Sequence, residues 1–392
     1  MNKAADIIVV STACHTAINR NVYKEFSKKG FTVLLIIPKE LTFSSRSFKS
    51  DEPAVDDPMI EYLDLKGNNP RIARFVGIIK VLTLYRPKIV FLDNDPASII
   101  AVQIGLWAKI YKSKLFCISC ENMALDILSA YRKRGLKGAP AAFFKRLLLF
   151  ISRKLVSGVF TINNEGTQVF KNEKFKNVKK IPLGFDPKYF HIDLSARNLI
   201  RSELGVDGFV IGFLGRISHE KGVHVLLSAL EAIINYKWTL LIDTFEIYKS
   251  KYGQDIHNQI VNSGLVERTV PINPNHDEMG DYINSVDVVV MPSVSTPLWI
   301  EQYGRIAAEA MACGKLVIAS NTGALPMLLN GRGILFDEGS VGQLKEILKG
   351  LIDGSLSQKF TSEEISLYAD ENLSIDQQMH AMLMFVDETK VL

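Results

Sequence analysis

Two cations follow one predicted strand in the second half of the chain. Within residues 212–222, a buried strand ends in Gly215, Arg216 follows at once, and Lys221 comes five residues later, just before a predicted helix. Such a loop brings two positive charges and a helix N-terminus to one spot, which suits a diphosphate whose charge rises as it departs. The alternative is an ordinary strand-to-helix turn with two solvated cations, and this segment alone does not decide between them.

Two glutamates belong to a second segment, residues 301–314. Glu301 precedes a predicted helix, at the end where free backbone N–H groups bind anions and hydroxyls. Glu309 lies inside the apolar run 306–312 of that helix, where a carboxylate is costly unless a ligand or partner bonds it. Because a carboxylate accepts paired hydrogen bonds from a vicinal diol, the pair indicates binding of a sugar or ribose. The other interpretation is two surface glutamates.

Alternating strands and helices are predicted to position these residues. β-Branched runs predict strands at residues 6–10, 32–38, 88–93, 114–119 and 158–162, and again at 209–215, 238–243, 266–271, 286–292 and 315–320. Helical periodicity falls between them, as at 16–29, 72–85 and 97–112. This order predicts an α/β protein with two doubly wound, Rossmann-like domains facing each other across a cleft. Ligands of such sheets gather at the carboxyl ends of the strands.

Length and composition agree with two globular domains. The chain has 392 residues, of which 47% are apolar and 22% charged, which excludes disorder and a coiled-coil rod. Two prolines and a glycine in residues 182–187 mark the boundary, giving domains 1–183 and 184–374. Four cysteines without a disulfide pattern suit a reducing compartment, and no signal peptide or spanning segment is evident. We therefore expect a cytoplasmic protein.

The two motif segments resemble a known enzyme family. Residues 215–222 match its Gly-Arg-x4-Lys-Gly stretch, and residues 301–314 match its Glu-x7-Glu motif with the Glu-Ala-Met-Ala-x-Gly continuation. Residues 181–186 and 284–293 also look like family segments. Together they resemble the retaining glycosyltransferases of the GT-B fold, most closely the GT4-type family (glycosyl transferases group 1). The resemblance is specific over roughly residues 178–340 and architectural before them.

The resemblance implies roles for the site residues. Arg216 and Lys221 would hold the donor diphosphate, with Gly215 in the same loop, while Glu309 holds the ribose and Glu301 the hydroxyls of the transferred sugar. Family members work without a bound metal, because such cations neutralise the leaving group in place of magnesium. The resemblance also implies that the backbone of Tyr303 and Gly304 contacts the sugar or phosphate. It implies that Pro271 and Ile272, which follow a strand, contact the base of the nucleotide. The C-terminal helix, about 375–392, would cross back to the first domain.

Three loops depart from the family pattern. Relatives carry a Gly-Gly loop after the first strand, whereas residues 11–19 read Ser-Thr-Ala-Cys-His-Thr-Ala-Ile-Asn. Where relatives often carry a histidine after the strand at 114–119, this chain has Cys120, Glu121 and Asn122. Either Glu121 takes over that sugar-facing role, or His15 approaches from the end of the first strand. The third departure is Asp243 and Thr244 where a glycine-rich turn is usual.

The positive charge is concentrated in one segment. The net charge is only +4, but residues 127–164 hold eight Lys or Arg and no Asp or Glu. In a helix over 143–156, Phe144, Leu147, Leu148, Ile151 and Leu155 share one face, and Leu149 and Phe150 lie among the cations opposite. The basic segment 131–154 then fits either an anionic membrane surface or a core-packed helix with a solvated basic face. No motif accompanies it that would indicate nucleic acid.

The expected function combines these predictions. We expect a metal-independent, retaining hexosyltransferase that moves a sugar from a UDP- or GDP-sugar to a glycan or lipid-linked acceptor in cell-surface polysaccharide or lipopolysaccharide biosynthesis. It would be cytoplasmic and peripheral on the inner membrane face. The alternative is a GT-B nucleotide-sugar binding protein, or an epimerase, that transfers no sugar.

Overall fold

The chain divides into two compact units. The computed structural model describes residues 5–43, 46–67, 69–123, 139–244, 247 and 250–389. One unit comprises Met1–Gly184 with Ile375–Leu392, and the other Phe185–Ser374. The boundary predicted from the sequence, between residues 183 and 184, lies one residue from this division. In the described ranges no helix is both long and apolar enough to span a bilayer.

The first unit is built on a parallel sheet. Its described strands are β1 (Ile7–Ser11), β2 (Val33–Pro38), β3 (Glu40–Phe43), β4 (Arg46–Lys49), β5 (Met59–Leu63), β6 (Leu65–Lys66), β7 (Arg74–Phe75), β8 (Ile89–Asp93), β9 (Lys114–Ser119), β10 (Gly158–Thr161) and β11 (Val178–Lys180). Its described helices are α1 (Asn21–Lys28), α2 (Ile78–Tyr85), α3 (Ile99–Tyr111), α4 (Ala139–Ser152) and α5 (Asn164–Asn172). The main sheet has the order β11-β10-β9-β8-β1-β2-β5, and two hairpins, β3-β4 and β6-β7, stand apart from it.

Both faces of this sheet are covered, as its continuous apolar strands require. In β1, Ile7 and Val9 pack into a core that also contains Phe26 of α1. Ile8 and Val10 point to the other face and pack with residues of α2 and α3. The alternation follows from the two-residue period of a strand, so that β1 is apolar at every position. The predicted doubly wound arrangement is confirmed for this unit.

The second unit repeats the plan. Its described strands are β12 (Phe209–Phe213), β13 (Trp238–Asp243), β14 (Thr269–Ile272), β15 (Val288–Met291), β16 (Leu316–Ser320) and β17 (Ile334–Phe336). Its described helices are α6 (Leu194–Leu204), α7 (Val223–Glu231), α8 (Lys251–Asn262), α9 (Met279–Ser285), α10 (Arg305–Ala312), α11 (Leu325–Leu329), α12 (Val341–Asp353) and α13 (Ser362–Leu373). The parallel sheet has the order β14-β13-β12-β15-β16-β17. The carboxyl ends of β12, β15 and β16 are therefore neighbours.

The last helix, α14 (Ile375–Glu388), packs on the first unit rather than on the second. Its buried residues recur at helical spacing and join the core on the α1 side of the first sheet. The ring of Phe385 lies 5.2 Å from that of Phe160, between centroids. A Cβ atom on Gly158 would come within 2.7 Å of the Phe385 ring, so a glycine is needed at the start of β10.

Several elements differ from the sequence prediction at sheet edges and helix starts. The edge strands β5, β11 and β17 were missed, because partly exposed short strands lack a long apolar run. Residues 266–268 form a 3₁₀ turn, and β14 starts only at Thr269. The helix predicted at 72–85 begins at Ile78, because Gly77 adopts a left-handed φ of +81° and β7 precedes it.

The apolar face described for the basic helix is divided between core and surface: Leu148 is buried, but other members are not. In α4, Phe144 and Leu147 are exposed, whereas Leu149 is buried against Val159 and Phe170. The helix carries apolar residues on two faces, so its hydropathy alone does not fix which face is buried. The basic residues 132–134 and 137 lie outside the described residues.

Candidate active site

A lysine and a glutamate form an ion pair at the carboxyl edge of the second sheet. Lys221 ends a 3₁₀ turn after β12, and Glu301 lies between β15 and α10. The Lys221 Nζ atom lies 2.7 Å from Oε2 of Glu301, and the Ser293 hydroxyl donates to the same oxygen at 3.0 Å. Glu301 is only 5% exposed, so the ammonium compensates a carboxylate that burial would otherwise destabilise. The Lys221 ammonium also lies 5.2 Å from the centroid of the Trp299 ring.

Close backbone contacts hold this pair in place. Gly222, next to Lys221, has a φ of +67°, and a Cβ atom there would lie 1.8 Å from the Pro292 carbonyl oxygen. The Val294 N–H donates to the Glu220 carbonyl at 2.9 Å, which joins the loops after β12 and β15. A Cβ atom on Gly323, after β16, would lie 2.2 Å from the Glu301 carbonyl oxygen. Contacts between the loops after β12, β15 and β16 thus fix the side chains of Lys221 and Glu301.

Arg216 is held much more loosely than Lys221. Its side chain is 60% exposed, and its guanidinium reaches the Glu220 carboxylate only at 3.7 Å. Gly215 before it has a φ of +154°, which strongly favours glycine, and a Cβ atom there would meet nothing within 4 Å. The structure therefore places Arg216 in the same loop as Lys221 but outside the Lys221–Glu301 pair.

Glu309 is buried inside α10. Its side chain stands one turn after Arg305, and burial raises its pKa to about 7 even though the Arg305 guanidinium opposes the shift. Among the described residues, none donates a hydrogen bond to its carboxylate. Burial lowers the pKa of His276, and the Arg305 guanidinium lowers it further, so the segment after β14 approaches the start of α10.

Tyr303 and Gly304 lie directly before α10. Tyr303 is buried, and Gly304 has a φ of +88°. A Cβ atom on Gly304 would lie 2.7 Å from a methyl of Leu325, so glycine is required by both conformation and space. The backbone of this pair leads into the first turn of α10, where helical N–H groups have no helical acceptor.

Pro271 and Ile272 are the last two residues of β14, not residues beyond a strand as the sequence suggested. Because the preceding residues 266–268 form a turn, the strand begins and ends later in the chain than the sequence predicted. Proline is tolerated here because β14 is an edge strand. The Ile272 carbonyl accepts hydrogen bonds from the backbone N–H and the hydroxyl of Thr244 at 2.9 and 3.1 Å.

The first unit holds the other two predicted site residues. His15 follows β1, with Nδ1 3.1 Å from the Thr12 carbonyl. Glu121 follows β9, with Oε2 2.7 Å from the Lys145 Nζ atom and 4.0 Å from the Arg71 guanidinium. β8 separates β1 from β9, which puts the two strands about 10 Å apart. Both residues therefore belong to the carboxyl edge of the first sheet, and the choice between them stays open.

Two aspartates lie between His15 and Glu121 on this edge. Asp93 accepts a hydrogen bond from the Ser11 hydroxyl at 2.7 Å, and Asp95 accepts one from Ser119 at 3.1 Å. Burial raises the pKa of Asp95, and the Lys145 ammonium opposes this. Over the described ranges, no group of three or more His, Cys, Asp or Glu side chains could hold a metal ion. Metal independence stays a prediction.

The residue that fixes the loop carrying His15 was not predicted from the sequence. Arg20 is fully buried, and all five of its N–H donors can be assigned to acceptors at 2.7 to 3.3 Å. The acceptors are the carbonyl oxygens of Cys14, His15, Asp51 and Glu52 and the Oδ2 atom of Asp57. Ser293 and Trp299 were missed as well. Ser293 follows β15 at the carboxyl edge, which was a usable signal, whereas nothing in the sequence marked Trp299.

A cavity elsewhere in the second unit does not contain the site. It has a volume of about 620 Å³ and is lined by residues around Arg332, Ile347 and Phe360. None of the predicted site residues lines it. The candidate site therefore rests on the Lys221–Glu301 pair and not on the size of a cavity.

Comparison with known proteins supports the location of the candidate site in the second unit. Residues 208–353 match the family described as glycosyl transferases group 1. The D-inositol 3-phosphate glycosyltransferase of Arthrobacter sp. (strain FB24) is 28% identical over 205 residues, covering 50% of this chain and 47% of that protein. The capsular polysaccharide biosynthesis glycosyltransferase CapM of Staphylococcus aureus is 26% identical over 239 residues, covering 57% and 60%. The chain thus spans about half the length of these curated relatives.

Solved structures extend the likeness over both units. Anabaena Alr3699/HepE, in complex with UDP and glucose, superposes with a TM-score of 0.70 at 18% identity, covering 97% of this chain and 99% of that one. At this identity the likeness shows the fold. The two doubly wound sheets and the matched region lead to one conclusion. Residues 208–353 thus carry the match to glycosyl transferases group 1, and the chain as a whole has the GT-B fold.

Proposed function

We propose that this chain is a retaining, metal-independent hexosyltransferase that moves a sugar from a UDP- or GDP-sugar to a glycan or lipid-linked acceptor. The observation that carries the proposal is the Lys221–Glu301 pair at the carboxyl edge of the second sheet. Further support comes from the similar Anabaena structure, which is a complex with UDP and glucose, and from CapM, a glycosyltransferase of capsular polysaccharide biosynthesis. We infer a role in assembling a cell-surface polysaccharide or lipopolysaccharide.

The donor diphosphate would lie against Lys221 and Arg216. An ammonium has three N–H donors, so the bond from Lys221 to Glu301 leaves two for phosphate oxygens. Arg216 is exposed and weakly paired, so its guanidinium can turn to the phosphate at little cost. These two charges would neutralise the leaving group, which is the task that magnesium performs in other transferases.

Glu301 would receive the hydroxyls of the transferred sugar while Lys221 keeps its carboxylate oriented. Transfer breaks the bond between the anomeric carbon and the diphosphate oxygen, and forms a bond from that carbon to the acceptor oxygen on the same face. The acceptor proton passes to the departing phosphate oxygen. The anomeric configuration is thereby retained without a protein nucleophile.

Glu309 would bind the ribose. Its buried carboxyl has a pKa of about 7, and a vicinal diol supplies the hydrogen bonds that favour the ionised form. The backbone at Tyr303 and Gly304 would face the sugar or phosphate. Pro271 and Ile272, at the end of β14, would lie beside the nucleotide base. Acceptor selection falls to the first unit, where His15 and Glu121 are the candidates.

The acceptor class suggests where the protein works. A glycan or lipid-linked acceptor is met at the inner membrane face, so we infer a cytoplasmic protein held peripherally at an anionic membrane through its basic segment. The rival function is nucleotide-sugar binding or epimerisation without transfer.

The discriminating variant is Glu301→Gln, which keeps the shape of the side chain and its hydrogen bond from Lys221. UDP- and GDP-sugars are tested as donors with polysaccharide and lipid-linked acceptors, and UDP and GDP binding is followed by calorimetry. For a transferase, we expect turnover to fall by about 100-fold or more while nucleotide binding changes little.

The matched control for this variant is Glu231→Gln, at an exposed glutamate of the same unit. Full transfer by Glu301→Gln would contradict the proposed role. Binding without transfer by the wild type, for every donor and acceptor, would favour the rival function. Nuclear magnetic resonance of the product reads its anomeric configuration, and activity that survives EDTA would support metal independence.

A further inference from the structure

A basic cavity lies at the amino edge of the first sheet, where β9 and β10 begin. Its volume is about 400 Å³, and four cationic side chains line it: Lys114, Arg153, Lys154 and Lys176. No carboxylate is part of this lining, and within the described part of the chain none of the four pairs with an Asp or Glu. Four uncompensated positive charges around one small volume strongly favour an anion.

This cavity is remote from the predicted site residues of its own unit. β9 runs from Lys114 at the cavity to Ser119, and Glu121 follows at the opposite edge. Six residues of strand span about 17 Å. An anion in the cavity therefore does not occupy the place where His15 and Glu121 lie.

An exposed apolar stripe on α4 ends at the same cavity. Phe143, Leu147 and Phe150 are 65%, 45% and 50% exposed, and their spacing puts them on one face of the helix. Phe150 is the link between stripe and cavity, because the charged groups of Arg153 and Lys154 lie 4.6 and 4.8 Å from the centroid of its ring. Apolar surface and cationic cavity thus form one continuous feature.

We propose that this feature docks the protein on a membrane, with the phosphate of an anionic phospholipid headgroup in the basic cavity and the α4 stripe at the boundary of headgroups and acyl chains. A free phosphate ion would satisfy the cations but leave the stripe in water. A phospholipid satisfies both. The inference deepens the membrane part of the proposed function; it is tested without donor or turnover, so that the two can fail separately.

The test uses flotation of the full chain with vesicles of phosphatidylcholine, with and without phosphatidylglycerol. The variant Arg153→Gln/Lys176→Gln removes two of the four charges. The control Lys237→Gln/Lys251→Gln removes two exposed lysines from the second unit and changes the net charge equally. We expect partition onto the anionic vesicles to fall by about 30-fold for the cavity variant and less than about twofold for the control.

A second variant tests the stripe. Leu147→Gln/Phe150→Gln changes exposed residues only, so it should fold, and it should also weaken vesicle binding. Equal losses in the cavity variant and its charge control would overturn the proposal, because charge alone would then explain binding. Full binding by the stripe variant would overturn it too. So would wild-type protein that binds inorganic phosphate in calorimetry but not anionic vesicles, because the source of the phosphate would then not be a lipid.

Discussion

The carboxyl edges of the two sheets hold their polar residues in different ways. In the second unit the Lys221–Glu301 pair is held by main chain against main chain, at Gly222 and Gly323. In the first unit the loop after β1 is held by side chains through Arg20, whereas the Glu121 loop combines the Lys145–Glu121 pair with one close backbone approach at Gly166. Close backbone approach can be made only by glycine, whereas a side-chain network can be built in many ways. The recognisable motifs lie in the second unit, where glycines make two such approaches beside the Lys221–Glu301 pair.

The comparison fits the proposed division of labour. Under that proposal, the rigid backbone scaffold of the second unit would neutralise the diphosphate, which is chemistry common to many donors. The edge of the first unit, whose loops depart from the family pattern, would select the acceptor. A substitution at one edge should therefore leave the binding or stability measured at the other edge unchanged.

The largest effect is expected for Lys221→Ala. The variant removes one of two cations from the leaving group and leaves Glu301 without its ammonium. We expect transfer to fall by about 1000-fold, measured as kcat with the best donor. Lys237→Ala, at an exposed lysine of the same unit, should retain wild-type kcat. An undiminished rate in Lys221→Ala would remove the basis for placing the diphosphate here.

Arg20→Met should destabilise the first unit without touching the donor. Asp57 would keep a buried carboxylate with Lys24 as its remaining cation, and four carbonyls would each lose a hydrogen bond from the guanidinium. We expect a loss of about 4 kcal/mol in the free energy of unfolding of this unit, measured by urea denaturation. Lys28→Ala, which removes a surface ion pair on α1, should cost less than about 1 kcal/mol. If UDP affinity fell in proportion to stability, the proposed independence of the two edges would be wrong.

Glu309 should make the stability of the second unit depend on pH. Its folded pKa of about 7 exceeds the ordinary value of 4.5, so the folded state binds the proton more tightly. Stability from this group is present in full below pH 4.5 and is lost as pH rises through 7, by about 3 kcal/mol. Glu309→Gln should abolish this dependence. Parallel curves of unfolding free energy against pH for variant and wild type would contradict the assignment.

The same carboxyl should couple nucleotide binding to pH in the opposite sense. A ribose diol donates to the ionised form, so UDP affinity should rise between pH 6 and pH 8, by up to about tenfold. Calorimetric titrations with UDP measure this change, and Glu309→Gln should show weaker binding that no longer varies with pH. Affinity that is independent of pH in the wild type would separate Glu309 from the ribose.

The smallest effect is expected at the first edge. Glu121→Gln should raise the KM for the acceptor by about tenfold and leave the UDP affinity unchanged. His15→Ala provides the parallel measurement, and the variant with the larger acceptor effect identifies which residue replaces the family histidine. A change in UDP affinity without a change in acceptor KM, in both variants, would reverse the roles of the two units.

The sequence predicted the central strands well because each is an apolar run bounded by polar or turn residues. β9 and β13 have the predicted bounds. Edge strands such as β17 and the buried face of α4 escaped prediction because tertiary packing decides them. The site residues divide in the same way between those that a local sequence pattern marks and those that tertiary contacts decide. Lys221 and Glu301 could be found because glycines and a helix surround them, whereas Trp299 and Arg20 act through contacts with distant segments that no local pattern records.

The most direct test is calorimetric titration of UDP and GDP into the wild type, Lys221→Ala, Lys237→Ala and Glu121→Gln. We expect at least one nucleotide to bind the wild type, Lys221→Ala to weaken its binding by about 30-fold or more, and the other two variants to bind as the wild type does. Unchanged affinity in Lys221→Ala, or loss of affinity in Glu121→Gln, would contradict the claim that the second unit alone carries the donor diphosphate site.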